Sequence, residues 1–289
     1  MDRTDTRTVS PDLLDFARRA LAEDLGRGDV TSELTVDAGA RATGRFVARQ
    51  DLVVSGLEAA RAVFLVAGEE DMSFAALVRE GETVRKGAVL AEVEGQARAV
   101  LAAERVALNL LMRLSGVATL TRTYVEVIDG TGARVTDTRK TSPGMRVLEK
   151  AAVRAGGGTN HRAGLDDGVL IKDNHLILAG GVQEAVGRAR AGAPHLLKVE
   201  VEVESLEALE EALGAGADVV LLDNMKPEEV REAVGLARRE APEVLVEISG
   251  GINLETVRVY AEAGPDLISV GALTHSAPAA DISLEVETC

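Results

Sequence analysis

The chain has no tryptophan, two tyrosines and four phenylalanines in 289 residues. Its interior must therefore be aliphatic, built from Val, Leu, Ala and Ile. Rows of aromatic rings on which single-stranded nucleic acid could stack are excluded. Cysteine occurs once, as Cys289, so no intrachain disulfide can form, which fits a reducing compartment. No apolar run is long enough to span a bilayer, and the opening MDRTDTRTVS has no apolar signal core. A cytoplasmic protein with no membrane partner is expected. Positive charge is scarce: 32 Lys and Arg stand against 47 Asp and Glu, a net charge of −15. Such a chain repels nucleic acid and anionic membranes, so a local cluster of Arg and Lys is informative.

With 46 % hydrophobic residues, the chain can bury one large core, or a barrel and a smaller domain. Ser10-Pro11 followed by Leu13, Leu14, Ala17, Leu21 and Leu25 on one face predicts a capped helix that stops at Gly26. Strands are expected over 44–54 and 72–79, with helices over 57–67 and 99–114. The segment 80–94 reads as a turn, a bend and a strand. It lacks the Met-Lys-Met tip of a lipoyl or biotinyl carrier around Lys86, so that reading is set aside. This irregular order predicts an N-terminal α+β domain over 1–115, on which the tail 277–289 is free to pack.

After Gly132 the order becomes regular, within an α/β barrel domain expected over 116–276. Strand candidates at 134–138, 169–172, 197–203, 219–222, 244–248 and 267–270 alternate with helical stretches such as 206–213 and 227–239. This is the pattern of parallel βαβ units. By pattern alone, an incomplete α/β barrel and a doubly wound sheet both fit.

Polar residues and glycines gather at the ends of these strands, where α/β folds place their ligand sites. The densest cationic segment holds Arg139, Lys140, Arg162 and Lys172, with Thr138 and His161 beside them. Arg offers a planar fork for a carboxylate and Lys a point charge for phosphate, so the mixture predicts a ligand carrying both. Arg146, Lys150 and Arg154 fall one turn apart on a helix and are expected to form a solvated face. Gly156-Gly157-Gly158 is either a nest of N–H groups for an anion or a flexible loop. Lys198, Glu200, Glu202 and Glu204 alternate with valines. Valines facing the helices would turn the carboxylates inward, the alternative being a wet edge strand. Asp223, at the next strand end, adds a hard oxygen that with Glu202 suits Mg²⁺. Ser249-Gly250-Gly251 and Gly271-Ala272 end neighbouring strands and suit a phosphate. His195 is expected at the surface and Cys289 at a frayed end.

Residues 137–175, DTRKTSPGMRVLEKAAVRAGGGTNHRAGLDDGVLIKDNH, resemble the central signature of the quinolinate phosphoribosyltransferases, the carboxylating nicotinate-nucleotide pyrophosphorylases. EDLGRGDVTS (23–32), AERVALNLLMRLSGVAT (103–119), DNM (223–225), EISGGI (247–252) and GALTHS (271–276) extend the likeness along the chain. The resemblance implies that the N-terminal α+β domain is a sandwich, followed by an incomplete α/β barrel, and it implies transfer of phosphoribose from phosphoribosyl pyrophosphate to quinolinate with loss of CO₂, using Mg²⁺. It further implies a homodimer with shared active sites, a higher oligomer being left open. Carried over, Arg105 from the partner would join Arg139, His161 and Arg162 on the quinolinate carboxylates. Lys140 and Lys172 would meet pyrophosphate and substrate charge, Glu202 and Asp223 the ribose hydroxyls and Mg²⁺, and Ser249 to Gly251 with Val270 to Ala272 the 5′-phosphate. A related transferase for another acid, a non-decarboxylating nicotinate enzyme and a non-catalytic barrel are the rival readings. The set Arg105, Arg139, His161 and Arg162 favours a dicarboxylate over the first two, and a non-catalytic barrel has no reason to retain Glu202 and Asp223 together with the cationic set.

Overall fold

A computed structural model describes residues 9–68 and 71–288; Cys289 lies outside them. The chain divides into two compact units, one running to Leu120 and including the segment from Ala277, the other Thr121–Ser276.

In the first unit, helix α1 (Pro11–Leu25) begins where expected. Ser10 Oγ accepts the Leu13 N–H at 3.3 Å, and Gly26 ends the helix with φ 53°. Helix α2 (Val30–Thr35) follows. The strand expected over 44–54 is split into β1 (Arg41–Ala48) and β2 (Leu52–Val53). The break is polar and bonded: Arg49 N–H donates to Asp281 O at 2.8 Å, and Asp51 Oδ1 accepts the Lys86 N–H at 2.9 Å. Helix α3 (Leu57–Gly68), β3 (Ser73–Ala76), β4 (Thr83–Val84) and β5 (Val89–Gln96) complete the order before a long helix. The C-terminal strand Ile282–Thr288 pairs antiparallel with β1, at the edge of the sheet that continues through β5 to β3. Phe46 and Phe64 meet edge-on at 5.8 Å, and Phe74 packs on both. The few aromatic rings are thus concentrated in this core, which is not purely aliphatic.

The helix expected over 99–114 is α4 (Ala97–Val127), with 31 residues. Gly116 lies inside it, past the expected end. Its role is closeness, because a Cβ there would lie 2.0 Å from Pro278 O.

The second unit is the βαβ array. Its strands are β6 (Arg134–Thr136), β7 (Val169–Ile171), β8 (Val199–Val203), β9 (Val219–Asp223), β10 (Leu245–Ser249) and β11 (Leu267–Ser269). They form one parallel sheet in the order β6-β11-β10-β9-β8-β7, with edges at β6 and β7. This is an open α/β barrel, and no closing β6–β7 pair occurs among the described residues. Beyond β6, Thr159 adds a single parallel rung against Thr136. Helices α5 (Arg146–Ala155), α6 (Asp173–Ala179), α7 (Val182–Gly192), α8 (Leu206–Gly214), α9 (Pro227–Glu240), α10 (Val257–Ala261) and α11 (Ala272–His275) fill the connections. The C-terminal strand is β12 (Ile282–Thr288). β8 lies inside the sheet, which removes the edge-strand reading. Val199, Val201 and Val203 are all buried, and α7 and α8 pack on this strand.

Two glycines in helices should respond oppositely to alanine. Gly116→Ala forces a methyl onto a backbone oxygen and should cost about 1–3 kcal/mol, lowering Tm by several degrees. Gly187, in α7, has no atom within 4 Å of a built Cβ. Gly187→Ala should gain about 0.5–1 kcal/mol from lost chain entropy. Thermal unfolding of the two variants checks the pair.

Candidate active site

The C-terminal strand ends surround a cavity of about 280 Å³. Thr138, Arg139 and Lys140 border it from the loop after β6, His161 and Arg162 from the Thr159 segment, and Lys172 from the end of β7. Glu202, Asp223 and Ser249 enter from β8, β9 and β10. Leu170, Leu221 and Ser269 complete the wall.

The loops that carry the cations are held from beneath. Asp137, with no exposed surface, accepts the Lys150 ammonium, the His161 N–H at 2.9 Å and Asn160 Nδ2 at 2.5 Å. Lys150 Nζ also donates to His161 O at 2.8 Å. Lys150 therefore does not join a solvated face: it is 4 % exposed. Arg146 is likewise half-buried. Its Nε donates to Thr141 Oγ1 at 2.9 Å and its Nη1 to Ala163 O at 3.0 Å, bracing the loops on either side. Arg154 is exposed and bonds Asn160. The three glycines are neither nest nor slack. The N–H groups of Gly156, Gly157 and Gly158 donate to Ala152 O, Arg154 O and Val153 O, closing α5.

Lys172 pairs with Glu202. Asn224, with φ 56°, donates through Nδ2 to Asp223 Oδ2 at 2.7 Å and through its N–H to Ser249 O at 3.0 Å. Gly250 has φ 98°, and a Cβ on it would sit 2.2 Å from Asn224 Oδ1. Only glycine permits this approach. Gly251 is exposed. Gly271 packs beside Lys140, whose carbonyl accepts the Thr274 hydroxyl at 2.8 Å. Val270 is buried, with its N–H committed to Thr136 O at 3.0 Å; Ala272 opens α11. Arg105 is exposed on α4, in the first unit.

Below the cavity lies a layer that the sequence reading covered only in part. His161 Nε2 is 3.1 Å from Glu200 Oε2 and 3.7 Å from Glu247 Oε1, and Ser269 Oγ bonds Glu247. Glu247 is 2 % exposed and Glu200 7 %. Burial and then the charge of Glu200 push the Glu247 carboxyl up to about 7, against His161 and the Ser269 hydroxyl, which pull it down. Burial alone would lower the His161 pKa, but the bond to Glu200 and the charges of Glu247 and Glu200 outweigh that and the opposing Lys150, so it is raised. Arg162 is lowered by burial and by Arg139, with Glu200 opposing. Glu247 was legible by the argument made for β8: Val246 and Ile248 alternate with it and are buried. Beneath this layer a second cavity of about 670 Å³ opens at the N-terminal strand ends, among Val219, Leu245 and Leu267.

The folded chain holds a proton at Glu247 that the unfolded chain has released, because its carboxyl moves from 4.5 up to about 7. The stability this group confers is full below about pH 4.5 and is lost as pH rises through about 7. The slope is up to about 1.4 kcal/mol per pH unit. Unfolding measured from pH 5 to 8 should show Tm falling as pH rises, and Glu247→Gln should flatten that fall.

Two family models match the chain: "Quinolinate phosphoribosyl transferase, N-terminal domain" over residues 29–115 and the C-terminal domain of the same family over 117–285. Nicotinate-nucleotide pyrophosphorylase [carboxylating] of Mycobacterium leprae is 45 % identical over 274 residues, spanning 94 % of this chain and 96 % of the relative. The crystal structure of NadC from Streptococcus pyogenes superposes with a TM-score of 0.92 at 38 % identity, covering 98 % of this chain and 100 % of that one. The nicotinate-nucleotide pyrophosphorylase from Francisella tularensis gives 0.91 at 37 % identity, with 99 % and 100 % covered. With the strand-end cavity already in place, these matches establish that the chain belongs to the quinolinate phosphoribosyltransferase family.

Proposed function

We infer that the chain is a pentosyltransferase that joins quinolinate to phosphoribosyl pyrophosphate, giving nicotinate mononucleotide, pyrophosphate and CO₂ in the biosynthesis of NAD. The observation that carries this reading is the convergence of Arg139, Arg162, Lys140 and Lys172 on one cavity with Glu202 and Asp223. Both substrates are polyanions, and an acidic protein must concentrate positive charge locally to bind them.

The Arg139 and Arg162 forks take the quinolinate carboxylates, with Arg105 supplied by a second copy. Lys140 and Lys172 face pyrophosphate, and Thr138 holds the turn that presents Lys140 by accepting its N–H at 3.0 Å. The backbone at Ser249, Gly250 and Gly251, with Gly271 and Ala272 after β11, suits the 5′-phosphate. Val270 contributes to that wall through shape, since its N–H is used within the sheet.

The ring nitrogen lone pair forms the bond to the sugar C1 while the C1–O bond to pyrophosphate breaks. Positive charge builds on the sugar in between, and Glu202 and Asp223 stabilise it. CO₂ then leaves with its bonding electrons remaining on the ring carbon. The cationic ring nitrogen stabilises that carbanion until a proton replaces the carboxylate. No covalent nucleophile is needed, only positioning and charge. Glu202 and Asp223 fit a hard divalent cation: both are carboxylates on neighbouring strands facing one cavity. They would hold Mg²⁺, which when bound neutralises phosphate charge.

Purified protein supplied with Mg²⁺ and both substrates should release CO₂ and form nicotinate mononucleotide. Absence of both products in folded protein rejects the reading. A homodimer with shared sites makes a further prediction. Arg105→Ala and Lys172→Ala should each abolish most activity, while mixing and re-equilibrating the two variants should restore about a quarter, because half the dimers are hybrids with one intact site of two. No recovery speaks against sharing.

A further inference from the structure

The His161 imidazole is held at both nitrogens by the protein. Nδ1 accepts the Arg162 N–H at 2.7 Å, and Nε2 faces Glu200 Oε2 at 3.1 Å and Glu247 Oε1 at 3.7 Å. A ring nitrogen that accepts a hydrogen bond carries no proton, so the proton of the neutral ring sits on Nε2 and points at the carboxylates. Glu247 is itself fixed by the Ser269 hydroxyl. On the other side, Arg162 Nη1 donates to Gly168 O at 3.0 Å, and its Nε has no acceptor in the protein. The same residue borders the substrate cavity.

A metal reading of this cluster competes, because one donor atom from each of His161, Glu200 and Glu247 lies within 4.8 Å of the others. A metal at Nε2 would need the lone pair there and the proton on Nδ1, which would break the bond to Arg162. The hydrogen-bond pattern favours a positional role.

We propose that Glu200 and Glu247 are positioning residues: acting through His161, they fix the tautomer that holds the Arg162 backbone and so aim the Arg162 guanidinium at a substrate carboxylate. The proposal rests on the dicarboxylate assignment above. It makes the imidazole a strut for Arg162, and it separates the two nitrogens by task.

The test uses the full-length protein. In Glu200→Gln and Glu247→Gln, which keep side-chain shape and remove charge, KM for quinolinate should rise about tenfold, the worth of one hydrogen bond to a charged group. KM for phosphoribosyl pyrophosphate should stay within about twofold and kcat should change less than KM. An asparagine amide oxygen can stand near Nδ1, whereas a glutamine amide reaches the Nε2 position. His161→Asn should therefore keep quinolinate affinity better than His161→Gln, and Glu247→Gln should add nothing further on the His161→Asn background. Nitrogen NMR of the ring, one of four histidines, should show the Nε2-protonated form in the wild type and its loss in the two Gln variants. Equal KM values for His161→Asn and His161→Gln overturn the proposal, as does a wild-type ring protonated at Nδ1. Stoichiometric uptake of Zn²⁺ or Mn²⁺ that Glu247→Gln abolishes overturns it in favour of a metal site. A wild type that fails to turn over quinolinate removes the dicarboxylate assignment instead, and the ring spectrum still decides the tautomer.

Discussion

The buried carboxylate of Asp137 is the constraint on which the site depends. It stands at the end of β6, and its partners come from α5 and from the segment after the helix: Lys150, Asn160 and the His161 backbone. Taking two charges out of water is expensive, and the attraction offsets this only when the remaining bonds are also made. Here they are, since Lys150 donates again to His161 O. Breaking such a pair on one side typically costs about 3–5 kcal/mol. The return is geometric. One carboxylate sets the start of the loop bearing Arg139 and Lys140 and also the segment bearing His161 and Arg162.

With those loops fixed, the electrostatics of the cavity follow from depth. The cations sit at the rim, where substrate anions can reach them, and Glu200 and Glu247 lie beneath. Packing Arg162 near Arg139 disfavours its charge, and Glu200 works against that. A purely cationic hollow would be unstable without substrate. A purely neutral one would not draw two polyanions to a protein of net charge −15. The buried acids let the rim remain positive in both conditions.

The regular alternation after residue 132 made the parallel sheet legible, because β-branched runs and amphipathic stretches have different periods. Its polar strand ends located the cavity: Arg139, Arg162, Lys172, Glu202 and Asp223 border one hollow. What was illegible depended on tertiary context. Lys150 shares a helical spacing with Arg146 and Arg154, and nothing local tells a solvated lysine from one whose partner lies 13 residues earlier. The helix expected to stop at 114 runs on through Gly116, because a glycine that admits a neighbouring carbonyl has no local signature. The split near Arg49 depends on Asp281, far along the chain. Glu247 is a different case, since its alternation with Val246 and Ile248 carried the signal already used for Glu200.

That alternation also explains why the site sits where it does. Inward positions on successive strands fall in two tiers: Glu200, Val219, Leu245, Glu247 and Leu267 border the lower cavity, and Glu202, Leu221, Asp223, Ser249 and Ser269 the upper. Inward positions recur every two residues along a strand, close to 7 Å at about 3.3 Å per residue, so each strand passes from the lower cavity to the upper within its own length. In the lower tier the apolar members come from β9, β10 and β11, and the acids are bonded to His161 or Ser269. In the upper tier β8 and β9 end in carboxylates and β10 and β11 in hydroxyls. Polarity therefore rises toward the C-terminal strand ends, where backbone pairing stops and side chains are released from packing. The open edge between β7 and β6 leaves room for the Thr159 rung, and that rung brings His161 level with the lower acids while Arg162 reaches the upper tier. A seventh strand in that gap would have taken the place of the segment that joins the two tiers.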